Sequence, residues 1–268
     1  NLATNENNQA LIAAAGGMDA ILLAMQSLVS NAYVQENGCG VLRNMGKNES
    51  NQVAIATAGC IDAILLAMQS HVSNAFIQEN GCAALWNLAE NDKNNFLIAA
   101  AGGIDAIILV MQSHVSTADV QENGCVALIY LAKNANNQVA IAAARGIDAI
   151  LLAMQNHVSS GDVQKNGCGA LLNLSVNGNN KAAIAAAGGI DAILLAMRSH
   201  VSNADVQKYG CGAFLNLGEN GNNRVVIATA GGIGAILGYA KACVKCLCSI
   251  IWLWGTTKLV CELQKQRG

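Results

Sequence analysis

The chain has 268 residues, 53% of them hydrophobic and only 12% charged, against a usual charged share of about 25%. Net charge is −2 and no basic block occurs, so the electrostatic footprint of a phosphate-binding protein is missing and no nucleic acid is expected as a partner. Apolar runs are broken every few residues by Asp, Gln or His, short of the about 20 residues that cross a bilayer, so no membrane partner is expected either.

The sequence repeats every 43 residues. The Ala-Gly-Gly-Met18-Asp19-Ala-Ile-Leu segment returns at Ile61-Asp62, Ile104-Asp105, Ile147-Asp148 and Ile190-Asp191, then in degraded form at Ile233-Gly234. Ile12, Ile55, Ile98, Ile141, Ile184 and Ile227 keep the same step, as do Cys39, Cys82, Cys125, Cys168 and Cys211. A period of this length marks a solenoid, in which each unit buries its apolar face only by stacking on its neighbours.

In chain order, residues 1–7 are the end of a preceding, truncated repeat, because Asn1-Leu2 aligns with Asn44-Met45 one period later. We therefore expect these residues to belong to a longer array, or the N-terminus to be frayed. Repeats follow at 8–50, 51–93, 94–136, 137–179 and 180–222, with a degenerate C-terminal repeat or cap at 223–268. Within 51–93, residues 51–58 read as a short helix ended by Gly59, and 61–71 as a second helix. Its Ile61, Ile64, Leu65 and Met68 follow the spacing of a buried stripe. Ser73 reads as the N-cap of a third helix over 74–89. Ser116-x-x-Asp119, Ser159-x-x-Asp162 and Ser202-x-x-Asp205 look like capping boxes with Asp in place of Glu. Asn91, Lys93 and Asn94 read as the polar loop to the next repeat. No strand signal occurs, and there is no proline.

Short, medium and long helices in about 43 residues resemble the armadillo repeat. The resemblance rests on the Ile-Ala-x-Ala-Gly-Gly-Ile run into helix two and the Ala-Leu-x-Asn-Leu-Ala ending of helix three, over nearly the whole chain. HEAT repeats share the length but have two helices and fit the Gly-Gly break less well. The resemblance implies an all-α, right-handed superhelical solenoid whose third helices line a concave, protein-binding face. The Trp that nuclear-import receptors carry four residues before the helix-three Asn is absent, since Gly40, Ala83, Val126, Gly169 and Gly212 stand there. Recognition of a basic localisation signal in that manner is not implied.

Helical spacing places Asn87, Ala83, Asn80 and Phe76 on one face of helix three. The same stripe holds Asn44 and Asn37 with Tyr33, then Tyr130 and Asn123 with Asp119, Asn173 and Asn166 with Asp162, and Asn216 and Tyr209 with Asp205. An amide both donates and accepts and so can pair with an extended peptide backbone; the alternative is that these Asn cap local carbonyls. Beside the stripe stand Glu36, Glu79 and Glu122, then Lys165 and Lys208, which would polarise a groove unless they simply form a solvated face.

His71, His114, His157 and His200 recur roughly 8–10 Å apart, too far to share a metal, and read as structural groups at helix ends. Gly38, Gly81, Gly124, Gly167 and Gly210 lie inside helix three and point to close helix approach. Gln35, Gln78, Gln121, Gln164 and Gln207 are expected to bond loop carbonyls. Ten cysteines, five at one repeated helical position, are too widely spaced for disulfides; they read as buried free thiols, placing the chain in the cytoplasm or nucleus. Cys243, Cys246, Cys248 and Cys261 have a weak metal-like spacing, and no metal, cofactor or catalytic constellation is expected.

These features point to a non-enzymatic protein–protein scaffold that binds an extended peptide or a helix along the third helices. The alternative is a structural or accessory subunit packing through its ends and convex face; an enzyme with its catalytic domain elsewhere is a third. At the C-terminal end, Ile250 to Trp254 point all round a helix. Ile251, Trp252 and Trp254 are therefore expected to form an apolar interface for self-association or for docking a further domain.

Overall fold

A computed structural model describes residues 2–240. Ile251, Trp252, Trp254 and the cysteines from Cys243 onward lie outside the described residues. After a 3-10 turn, Leu2–Thr4, come α1 (Glu6–Ala14), α2 (Gly17–Ser27) and α3 (Ala32–Met45). The second repeat holds α4 (Glu49–Thr57), α5 (Cys60–Ser70) and α6 (Ala75–Ala89). The third holds α7 (Asp92–Ala100), α8 (Gly103–Ser113) and α9 (Ala118–Leu131), and the fourth α10 (Ala135–Ala143), α11 (Gly146–Asn156) and α12 (Gly161–Leu174). Then follow α13 (Gly178–Ala186), α14 (Gly189–Ser199) and α15 (Ala204–Leu217), and last α16 (Gly221–Thr229) and α17 (Gly232–Ala240). No strand occurs among the described residues. The chain divides after Asn156 into two compact units.

Each first helix opens on an Asn in extended conformation. Asn48, Asn91, Asn134, Asn177 and Asn220 accept backbone N–H bonds two or three residues on, an arrangement that contributes about 1 kcal/mol per cap. First and second helices meet at 72–75°, across a turn with one residue in the left-handed region, a glycine in every repeat but the fourth, with φ +83° at Gly59. A bend that sharp in so few residues requires a conformation that side chains with a Cβ resist.

The third helices start one residue later than the serines suggest. Their N-caps are Asn31, Asn74, Thr117, Ser160 and Asn203, not Ser73, Ser116, Ser159 or Ser202. The Asn74 amide donates to the His71 carbonyl at 2.9 Å, which closes the turn and leaves Asn74 as the extended residue. No capping box forms: Asp162, for one, pairs with Lys165 at 2.7 Å. Lys93 and Asn94 are likewise helical, inside α7, and Asn94 is buried.

The expected stripe on α5 is buried: Ile61, Ile64, Leu65 and Met68 all face the core. So are Ile55, Ile98, Ile141, Ile184 and Ile227, and the five periodic cysteines. A Cβ on Gly81 would lie 2.6 Å from Cγ and Sδ of Met68, so the third helix can approach the second that closely only without a side chain there. The glutamines act as expected. Gln78 Nε2 donates to the Met68 and His71 carbonyls, both at 2.9 Å, and Gln35, Gln121 and Gln207 repeat the contact. In the first unit α6 packs between α3 and α9, and in the second unit α12 packs on α15.

Candidate interaction surface on the third helices

Three polar contacts recur between consecutive repeats, and together they determine which amides remain for a ligand. On the first helices, Asn94 Nδ2 donates to the Gln52 carbonyl at 3.0 Å and to the Leu88 carbonyl at 3.1 Å. Asn51, Asn137 and Asn223 make the equivalent bond to the preceding repeat. At the turn between second and third helices, His71, His114 and His200 place Nε2 2.7 Å from the carbonyls of Val29, Val72 and Val158. A carbonyl only accepts, so Nε2 carries the proton in each. The histidine rings thus join repeats, while the backbone of each residue forms the C-cap of its own helix.

The third contact involves the candidate stripe itself. Asn87 is buried, and its Nδ2 donates to the Arg43 carbonyl at 2.8 Å; Asn216 does the same to Leu172 at 3.2 Å. The local-capping alternative is close to this, although the carbonyl satisfied belongs to the neighbouring repeat. Asn44 and Asn173 are half-buried. Asn44 shares a cleft of about 530 Å³ with Glu36, Asn37, Gly40, Arg43 and Asn80. The exposed Asn37 and the half-buried Asn123 turn their Nδ2 back onto their own helices, to the Tyr33 and Asp119 carbonyls at 2.8 Å. In the second unit Asn166 is buried, and Tyr209 is half-buried with Lys208 Nζ 5.3 Å from its ring centre.

Side chains absent from the sequence-derived stripe complete the surface of the first unit. Arg43 donates from one nitrogen to Glu79 at 3.3 Å and to Asn80 Oδ1 at 3.1 Å. Trp86 stacks on Tyr130 with ring centres 5.8 Å apart and planes 17° apart. The indole N–H donates to Asn123 Oδ1 at 3.3 Å, and the Tyr130 hydroxyl donates to Glu90 at 2.8 Å. Lys133 Nζ stands 4.3 Å from the Tyr130 ring centre. The signal for this pair was available in the sequence: Trp86 immediately precedes the stripe residue Asn87, and Tyr130 replaces Asn one period later. The charge reversal expected beside the stripe is weaker than its sequence suggests, since Lys165 is occupied by Asp162.

The described cysteines, Cys39, Cys60, Cys82, Cys125, Cys168 and Cys211, are free and buried. Burial pushes the thiols of Cys39, Cys82 and Cys168 up to about 12, so none is a nucleophile near neutral pH. Among the described residues no group of three or more His, Cys, Asp or Glu could hold a metal ion. No single helix there is long and apolar enough to cross a membrane.

No curated protein matches the sequence. Among solved structures, the fold is similar to two engineered proteins. One has 21% identity and a TM-score of 0.76, over 87% of this chain and 93% of that one. The other has 23% identity and a TM-score of 0.80, over 92% of this chain and 61% of that one. It is also similar to a chain from work on the phosphorylation switch controlling the interaction between cadherin and β-catenin, at 16% identity and a TM-score of 0.61. The match covers 93% of this chain and 57% of that one, so the chain spans little more than half of this neighbour. These likenesses establish an all-α repeat solenoid. Residues 45–226 match the family described as LRRK2 ARM repeat, and over that span, well beyond half its length, the chain belongs to this armadillo-repeat family.

Proposed function

We propose that the chain is a non-enzymatic protein-interaction scaffold that takes an extended peptide across α3, α6 and α9. Armadillo-type repeats commonly serve as such scaffolds, and the cadherin–β-catenin interaction concerns one structural neighbour. The observation that carries the reading is the Trp86–Tyr130 stack. Both polar tips are tied down, by Asn123 and by Glu90, so the rings offer rigid amphipathic area at low entropic cost to a partner. Asn44 supplies an amide in the adjoining cleft. Asn87 and Asn216 each commit one Nδ2 hydrogen to a carbonyl of the preceding repeat, and Asn87 is buried, so the reading rests on the aromatic pair and Asn44 and not on these two amides.

The test is a peptide-array screen followed by titration of the best ligand. Trp86→Ala/Tyr130→Ala should weaken it by about thirtyfold or more, as loss of an aromatic anchor does, while Asn44→Ala costs less than about tenfold. Equal binding by the aromatic double variant would remove this reading and favour an accessory subunit that packs through other faces. The buried thiols favour a reducing compartment, cytosol or nucleus.

A further inference from the structure

The second helices of the first unit, α2, α5, α8 and α11, pack on one another in sequence, and each leaves one large apolar side chain in solvent at the same position. Leu23, Leu66, Leu109 and Leu152 are 65%, 42%, 57% and 38% exposed, while their neighbours Ile64, Leu65, Ala67 and Met68 on α5 are buried. Four residues earlier on each helix stands an exposed Asp: Asp19, Asp62, Asp105 and Asp148. Of these four, Asp148 alone has an ion pair among the described residues, with Arg145 at 2.9 Å. Gln26, Gln69, Gln112 and Gln155 lie three residues after the leucines and are also exposed. A place in the first turn of each helix accounts for the acids through the helix dipole. It does not account for the leucines.

We propose that this surface docks an amphipathic, basic-edged α-helix laid along the leucine row, crossing the second helices. Packed helices are roughly 8–10 Å apart, and seven residues of an α-helix rise about 10 Å, so a helix with a leucine-like residue at every seventh position meets each Leu in turn. Four rows take about 22 residues of such a helix. Lysines or arginines along one edge then face Asp19, Asp62 and Asp105, and polar residues along the other edge face the glutamines. A β-strand fails because the same step is about three residues, an odd number that turns alternate side chains away. A polyproline segment matches the step, but it is read by aromatic-lined grooves, and α2, α5, α8 and α11 contain no aromatic residue. A second copy of the chain, whose α2, α5, α8 and α11 contain no Lys or Arg, offers the aspartates no counter-charge, and an anionic lipid surface is repelled by them.

The probe is a labelled peptide of about 25 residues, with Leu at every seventh position, Lys along one flank and Ala or Gln elsewhere. Fluorescence anisotropy with the 268-residue chain should give saturable binding that weakens as salt is raised. Leu66→Ser/Leu109→Ser should weaken it by about tenfold or more and Asp62→Asn/Asp105→Asn by roughly threefold; all four positions are exposed, and circular dichroism checks that the fold is kept. A sequence-scrambled peptide of the same composition should not bind. Trp86→Ala/Tyr130→Ala should bind the helix as the parent does, so the outcome is independent of the peptide reading of the third helices. Equal affinity for the leucine double variant, equal binding of the scrambled peptide, no saturable binding, or loss of binding in the aromatic variant would each overturn the proposal.

Discussion

Arg145 has φ 64°, the one positive φ at a residue other than glycine among those described, and it stands where the other repeats place Gly16, Gly59, Gly102, Gly188 and Gly231. A side chain in the left-handed region costs about 1–2 kcal/mol. Its ion pair with Asp148 is exposed and returns less than about 1 kcal/mol. Arg145→Gly should therefore raise stability by about 1 kcal/mol, read as a higher urea midpoint. Gly81 sits in the opposite situation. Helix propensity alone favours Ala there by about 1 kcal/mol, yet the new Cβ meets Met68 at 2.6 Å, and overpacking costs about 1–3 kcal/mol. We expect Gly81→Ala to lower the urea midpoint, and the loss to shrink in a Met68→Ala background. A stabilising Gly81→Ala would mean that Met68 moves aside freely.

Burial separates two equivalent positions on the second helices. Ile64 of α5 is fully buried, whereas Ile21, its counterpart on α2, is half-buried, because no repeat among the described residues packs against that side of the first one. Ile64→Ala should cost about 2–5 kcal/mol and Ile21→Ala less than half of that, measured as shifts in the urea midpoint. Similar shifts at both positions would show that Ile21 gains cover in solution. At this scale the sequence is informative where the hydrophobic period speaks: the stripe on α5 was legible because Ile61, Ile64, Leu65 and Met68 fit a helical face and nothing else. It misleads where one residue type has several uses. Ser73 and Asn74 can both cap a helix, and the choice is made by the backbone bond from Asn74 to His71. Asn94 looks like a loop residue in a polar run, yet it is buried and bridges Gln52 and Leu88. That role exists only once two repeats are stacked.

The solenoid follows from the 43-residue period, but the three recurring polar contacts that join its repeats link residues 42 or 44 apart and are invisible within any one repeat. The Trp86–Tyr130 stack likewise forms one period plus one residue along the chain and shows only when two repeats are read together. The periodic cysteines carry a consequence for the array as a whole. Cys39, Cys82 and Cys168, buried in α3, α6 and α12, have their thiols raised by burial from 9.0 to about 12. Cys60 is raised to about 11 by burial and by the negative charge of Asp19. The folded chain therefore holds these protons more tightly than the unfolded chain does. Stability is unaffected while both states keep their thiols protonated, below about pH 8 to 9, and falls as pH rises through the unfolded value. Each fully buried thiol removes about 1 kcal/mol per pH unit between about 9 and 12. Because these thiols lie in the first, second and fourth repeats, the loss is distributed over several units. Urea midpoints should thus fall steeply above about pH 9, and the slope should flatten in a Cys39→Ala/Cys82→Ala/Cys168→Ala variant. An identical slope in that variant would assign the alkaline loss to the exposed groups instead.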